Sequence, residues 1–297
     1  MLDSDTAYKP SSRLGTMVRK VPWSRIFIWI MLIVMLVFTV TPLVFMLSAS
    51  FMVNKQILRM PFSWIPEDGL YLRNFLQALR GNDGSWIFPR NLLNSLIVSL
   101  TVALTTVLIA SITGYGIAKF KFKGRNFIFL MIMATMMIPF EAIMIPLYMV
   151  TNSLRMQDSY AGMIVPFLVS AFGVFQMRQY LITFPSEYLD ASRVDGLGEF
   201  SIFWQIVFPN CTPVFATLGI LSFRGQWDNL LWPLLITQTE KMKTIPLYIS
   251  KFAEEKATDE GAMMAVAVVA SVPMFILFGA LSKYFIGGSA VYESRKG

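Results

Sequence analysis

Long apolar runs separated by short polar stretches dominate the chain. A helix needs about 20 apolar residues to cross the hydrocarbon core of a bilayer. Six runs of that order predict spans over about 26–50, 91–118, 126–150, 159–180, 211–236 and 261–286. Helices are expected because open strands cannot satisfy their backbone groups in lipid. The first run is too long for a signal-peptide core and predicts a retained span. Pro42, Pro139, Pro146, Pro166, Pro213 and Pro273 fall inside these runs and predict kinks. The expected fold is an all-α integral membrane protein. Residues 1–25 form an N-terminal tail, 26–288 the membrane domain and 289–297 a C-terminal tail.

One stretch breaks the pattern. "EYLDASRVDGLGEFSIFWQIVFP", residues 187–209, carries the acids Glu187, Asp190, Asp195 and Glu199 against the single base Arg193. Pro185-Ser186-Glu187 is a helix-start signal, with Ser186 able to cap and an acid favoured in the first turn. Asp195-Gly196 is a turn signal, with Gly196 suited to a left-handed residue. Phe200, Phe203, Trp204, Val207 and Phe208 then recur at helical spacing as one apolar stripe. Residues 185–209 are therefore expected to form a helix–turn–helix between spans four and five. The first helix is polar enough to stand out from the membrane. The second is expected along the interface or against the bundle. An amphipathic linker lying at the headgroups fits the same pattern.

Composition agrees with a membrane chain. Of 297 residues, 55% are hydrophobic and only 14% charged, and the mean hydropathy is +0.58. Soluble domains carry about 25% charge. The net charge of +7 suits bases flanking spans on the cytoplasmic side, so no nucleic-acid partner is expected. Lys9, Arg13, Arg19, Lys20 and Arg25 precede span one, and Lys119, Lys121, Lys123 and Arg125 follow span two; the loop after span three has only Arg155. The N-terminus, the second and fourth loops and the C-terminus are therefore expected in the cytoplasm. Lys55, Arg59, Arg73, Arg80 and Arg90 in the first outer loop weaken the contrast. Residues 60–89 and 238–260 are expected to be extracytoplasmic loops.

The candidate chemistry is sparse. There is no His, one Cys and no phosphate-binding GxxxxGK[ST] loop. Cys211 lies in an apolar context and is expected to be a buried structural thiol. Neither an intramembrane enzyme nor a self-powered pump finds its residues here. Polar groups within spans are the candidates that remain, because burying them is costly. Glu141, between two prolines, is either a pore residue or a carboxyl packed against a neighbouring helix. Arg224 and Asp228, spaced i, i+4, either pair structurally or line a translocation path. Trp23, Trp29, Trp64, Trp86 and Trp232 are expected in an interfacial belt, although Trp64 and Trp86 also suit contact with a sugar or a binding protein.

Residues 184–209 resemble the cytoplasmic signature of permease subunits of ATP-binding-cassette importers. That signature is Glu-Ala-Ala, three residues, Gly, nine residues, Ile, one residue, Leu-Pro. Asp190-Ala191-Ser192, Gly196, Ile206 and Phe208-Pro209 stand at those positions. Asp190, Ser192 and Phe208 are departures from it. "FPSEYLDASRVDG" is similar to the version in carbohydrate importers, and "MIPFEAIMIPLY", "NSLRMQDSYAGMIVP", "WDNLLWPLLI" and "KYFIGG" are similar in order and spacing. The resemblance covers roughly residues 25–288 and is nearest to the second, maltose-type permease subunit. The tail "AVYESRKG" departs from the family's ending.

The resemblance implies half of a pore shared with a second permease subunit as a heterodimer. It implies two partner ATPases that use ATP and Mg, an extracytoplasmic solute-binding protein and a sugar or oligosaccharide substrate. No cofactor is expected on this chain. The implied location is the inner membrane of a prokaryote. Glu187, Asp190 and Ala191 would form the docking helix, Gly196 its turn, and Ile206 and Pro209 its anchorage. Glycerol phosphate or another polyol would suit the same machinery, and a secondary transporter is the reading from a different class.

Overall fold

The computed structural model describes residues 23–61, 63–80, 85–255 and 259–293. The bases expected at Lys9, Arg13, Arg19 and Lys20, and the last four residues of the C-terminal tail, lie outside them. Every regular element among the described residues is helical. In chain order these are α1 (Trp23–Ala49), α2 (Asn54–Ile57), α3 (Arg73–Arg80), α4 (Ile87–Lys119), α5 (Arg125–Thr135), α6 (Phe140–Ser153), α7 (Tyr160–Ile164) and α8 (Ala171–Thr183). They are followed by α9 (Ser186–Val194), α10 (Glu199–Ile202), α11 (Phe208–Asn210), α12 (Thr212–Trp227), α13 (Leu231–Ile236), α14 (Ile245–Glu255) and α15 (Glu260–Glu293).

The chain divides into two units, residues 1–45 and 46–297. The described part of the first is most of α1, whose side chains from Trp23 to Val40 are all exposed. So long an apolar helix without a buried face is what lipid or another membrane chain would cover.

In the second unit α4 is the central rod. At 1.5 Å per residue its 33 residues span about 50 Å. Its middle and last turns pack on α8 and α12. Small residues let the backbones approach: a Cβ on Gly114 would lie 2.7 Å from Met177 Cβ, and one on Gly173 3.1 Å from Ala110 Cβ. Val174, Met177, Leu181, Val214 and Leu218 fill the resulting core. At the N-terminal end of α4, polar side chains tie down the segment around residues 241–245. Asn94 Nδ2 donates to the carbonyls of Lys241 (2.8 Å) and Lys243 (2.9 Å), Tyr160 Oη donates to Asn94 Oδ1 (2.6 Å), and Ile245 N donates to Ser95 Oγ (2.7 Å).

Expectation and structure differ in four places. Only α1, α4 and α15 (over Glu260–Ala280) are single helices long and apolar enough to cross a membrane. Six spans are reached only if each bent pair counts as one: α5 with α6 (94°), Tyr160–Phe167 with α8 (42°), and Glu199–Asn210 with α12 (76°). Pro139 and Pro166 do stand at helix breaks, but Pro42, Pro146 and Pro273 sit inside continuous helices, where neighbouring groups can absorb the missing donor. The segment 238–260, expected as a loop, is no plain loop. Its α14 buries Ile245, Leu247, Tyr248 and Phe252, three of them in one cluster with Phe88 and Ala262. Apolar residues at helical spacing within a charged stretch carried that signal. Trp232 is not in an interfacial belt: it is 1% exposed, and its Nε1 donates to the Gly162 carbonyl at 2.9 Å, the partner a buried indole requires.

The close approach of α4 and α8 gives a direct test. Gly114→Val forces its side chain against the Met177 Cβ and the Arg178 backbone. Overpacking of this kind costs about 1–3 kcal/mol. A lowered melting temperature of the purified protein in detergent is expected; an unchanged one would mean the helices do not approach there.

Candidate functional site

The stretch that broke the sequence pattern forms a distinct structural piece. α9 starts at Pro185, which occupies the cap position with extended backbone, so Ser186 is the first helical residue and makes no cap. Pro185 has the fixed φ that suits a helix start but no side chain able to accept from the first N–H groups of α9. The helix ends in a Schellman motif: Gly196 N donates to Arg193 O and Leu197 N to Ser192 O, both at 3.0 Å, with Gly196 at φ +84°. A Cβ on Gly196 would meet nothing within 4 Å. Glycine is therefore demanded by conformation, not by space.

Two faces of α9 differ. Leu189 and Ser192 are buried, and Leu189 joins the core cluster with Met177 and Leu181. Burying a leucine contributes roughly 1.5–3 kcal/mol. Glu187, Asp190 and Ala191 face out, as do two residues that sequence reasoning passed over, Tyr188 at 55% and Val194 at 88% exposure. Tyr188, Ala191 and Val194, three residues apart, make a second, outward apolar row on an otherwise polar helix. That spacing was available in the sequence and was masked by the acids between.

The turn is clamped from both sides. Arg193 Nη1 donates to Asp190 Oδ1 (2.8 Å) and its Nε to Glu199 Oε1 (2.7 Å), while Tyr115 Oη donates to Glu199 Oε2 (3.1 Å). The Arg193 hydrogen bond holds the Glu199 carboxyl below its ordinary range against the cost of burial, with Tyr115 adding to it. At the other end of α9, Lys119 Nζ donates to the Phe184 carbonyl at 2.6 Å. The C-terminal end of α4 thus grips both flanks of α9.

The helix after the turn corrects the expected apolar stripe. Residues 203–207 form a π-turn between α10 and α11, and the extra residue shifts the helical phase. Ile202, Phe203 and Val207 are buried, whereas Phe200 is 78% exposed. Ile206 is half-buried, Pro209 is exposed, and Cys211 is fully buried.

A second site lies elsewhere in the unit. Helical backbone is interrupted at 136–139, at 168–170 and at 228–230, all inside runs apolar enough to predict spans. The interruptions at 168–170 and 228–230, and the first turn of α6 just after 136–139, border one cavity of about 560 Å³. Their loose backbone groups have local partners: Gly173 N donates to Ser170 Oγ (3.1 Å) and Trp232 N to Asn229 Oδ1 (3.2 Å). Glu141, in the first turn of α6, lines this cavity together with Asp228; neither carboxylate is buried. Arg224 Nε donates to Asp228 Oδ2 at 3.2 Å, with the two side chains 67% and 58% exposed. An exposed pair of this kind contributes about 0–1 kcal/mol. Pairing and cavity-lining therefore coexist at Asp228, and Glu141 is an exposed residue of the same lining.

Apolar helices long enough to cross a membrane, with broken helices around a cavity, are the architecture of a multi-pass helical membrane protein. Residues 106–287 match the family described as "Binding-protein-dependent transport system inner membrane component", and the chain belongs to it. It is 38% identical over 209 residues to the arabinooligosaccharides transport system permease protein AraQ of Bacillus subtilis (strain 168), covering 70% of this chain and 74% of that one. It is 31% identical over 277 residues to the sn-glycerol-3-phosphate transport system permease protein UgpE of Brucella abortus (strain 2308), covering 92% and 98%. A solved structure of a bacterial ABC transporter involved in the import of the acidic polysaccharide alginate aligns with a TM-score of 0.76 at 21% identity, over 89% of this chain and 98% of that one. That likeness concerns the fold.

The left-handed turn is testable by itself. A residue other than glycine in that conformation costs about 1–2 kcal/mol, and Asn tolerates it best. Trypsin in membranes should cut after Arg193 faster in Gly196→Ala, and close to the normal rate in Gly196→Asn. Equal rates for Ala and the parent would mean that φ does not demand glycine. The clamp should also respond to acid. Because Glu199 titrates below its ordinary value, its contribution is complete above the ordinary carboxylate range near about 4.3 and is lost as pH falls through the lower folded value. Glu199→Gln should remove that acid dependence, read as the fall in melting temperature in detergent between about pH 5 and about pH 3; an equal fall in both proteins would mean that the clamp does not titrate there.

Proposed function

We propose that this chain is the permease subunit of an ATP-binding-cassette importer for a sugar or oligosaccharide, with α9 as the helix by which partner ATPases drive it. It forms half of the pore and pairs with a second permease. Two ATPases supply ATP and Mg chemistry from the cytoplasmic side, and an extracytoplasmic binding protein delivers the solute. The N-terminus, α9 and the C-terminus face the cytoplasm of a prokaryotic cell, as the basic loop at 119–125 supports. The carbohydrate reading is supported by the likeness to the arabinooligosaccharide permease, and glycerol phosphate is the second reading, by the likeness to UgpE.

The single observation that carries the coupling role is the two-sidedness of α9. Its inner residue Leu189 is fixed in the bundle core while Tyr188, Ala191 and Val194 form an exposed apolar row flanked by Glu187 and Asp190. A helix rooted on one side and apolar on the other can be gripped in a cleft of another protein and will carry that motion inward. The ATPase then biases a two-state pore through contacts that differ between the states. Gly196 sets the angle, and Ile206 and Pro209 belong to the helix that anchors it.

Val194→Asp puts a charge on the outer row without touching the core. Uptake and transport-coupled ATPase activity of the assembled importer should fall about tenfold or more, while the subunit still inserts at normal levels. Normal uptake would sink the coupling role of this face.

A further inference from the structure

We infer that the cavity bordered by the three helix breaks is a solute subsite on this chain itself, and that it takes a neutral polyhydroxylated solute and disfavours an anionic one. The inference rests on the importer reading and concerns what that importer touches. Four observations converge. The cavity, about 560 Å³, lies within the range of small-molecule sites, about 300–1,000 Å³. Unwound backbone inside an apolar span persists only where it is buried in protein or lines a water-filled space; here the interruptions at 168–170 and 228–230 and the start of α6 after 136–139 all meet one space.

The third observation is the polar inventory. Glu141 and Asp228 supply carboxylate acceptors, while Gln226 and Asn229 supply amides that both donate and accept. Phe140 and Phe167, part of one aromatic cluster with Trp232, supply flat apolar surface. Thr106, in the wall and 1% exposed, has a hydroxyl without a hydrogen-bond partner, and a buried polar group normally has one. Sugar hydroxyls donate to carboxylates, exchange hydrogen bonds with amides and leave apolar C–H faces for the rings. The fourth observation is the charge. Among the described residues no Lys or Arg lines the cavity, and Arg224 pairs with Asp228 at its rim. With Glu141 and Asp228 set against Arg224 alone, a phosphate or carboxylate on the solute would meet an excess of negative charge.

The test uses the whole importer in lipid nanodiscs, with Cys211→Ala removing the buried native thiol and Ser222→Cys placing a probe on the cavity wall. Reaction with a cationic methanethiosulfonate reagent is expected to outpace an anionic one about tenfold or more, and the ratio should collapse in Glu141→Gln with Asp228→Asn. Arabinotriose should slow labelling, and sn-glycerol 3-phosphate should not. Val169→Cys gives the same readout if Ser222→Cys does not assemble. Equal reagent rates, no protection by arabinotriose, or protection by glycerol 3-phosphate would each overturn the inference. ATPase activity stimulated by the loaded binding protein is measured on the unmodified importer. If that stimulation is present while the cavity shows no selectivity, this inference alone fails; if it is absent, the importer reading fails first.

Discussion

A backbone group without a hydrogen bond is expensive in lipid, and that cost arranges this molecule. A helix without an internal proline satisfies its interior backbone groups by itself. Each place where the helix stops must find another partner for what it frees. Ser170 and Asn229 supply two of those partners at the edge of the cavity, and Pro139 and Pro185, at helix starts, carry no N–H of their own to satisfy. Several of these breaks gather in two places: the cavity lined by α4, α6, α12 and the turns at 168–170 and 228–230, and the turns around α9. Both candidate functions sit where the regular ladder is given up.

α4 connects the two. One end holds the 241–245 segment through Asn94 and Ser95, and the other holds α9 through Lys119 and, by way of Glu199, Tyr115. Between them its small residues admit α8 to near backbone contact. A push on α9 therefore meets a packed rod, and packed cores pass on displacement instead of absorbing it. The cavity wall includes Val102 and Thr106 of the same rod. Coupling between handle and cavity needs no further device than this shared helix, provided that the partner ATPases hold α9 differently in two states.

Much of this was legible in the chain. Apolar run length located α1, α4 and α15, and the Asp195-Gly196 pair located the turn with its left-handed glycine. Three things were not legible, each for a physical reason. The stripe of Phe203 and Val207 was readable, but α10 is a single short turn before the π segment, and in it Ile202 is buried while Phe200 is exposed. The break at 228–230 contains neither proline nor glycine, and its support comes from Asn229 capping in place. The cavity that unites Glu141 and Asp228 joins residues 87 positions apart, and no local pattern records that. The pairing of Arg224 with Asp228 was readable from i, i+4 spacing, but its place on the rim of a cavity was not.

The central claim is that the outer row of α9 is held by an ATPase while its inner row is held by this chain. A photo-crosslinking residue at Ala191, compared with one at Leu189, tests it most directly in the intact importer. The account predicts adducts with the ATPase subunit from position 191 and adducts only within the permease from position 189. Crosslinks from position 191 to lipid alone, or ATPase adducts of equal yield from both positions, would contradict it.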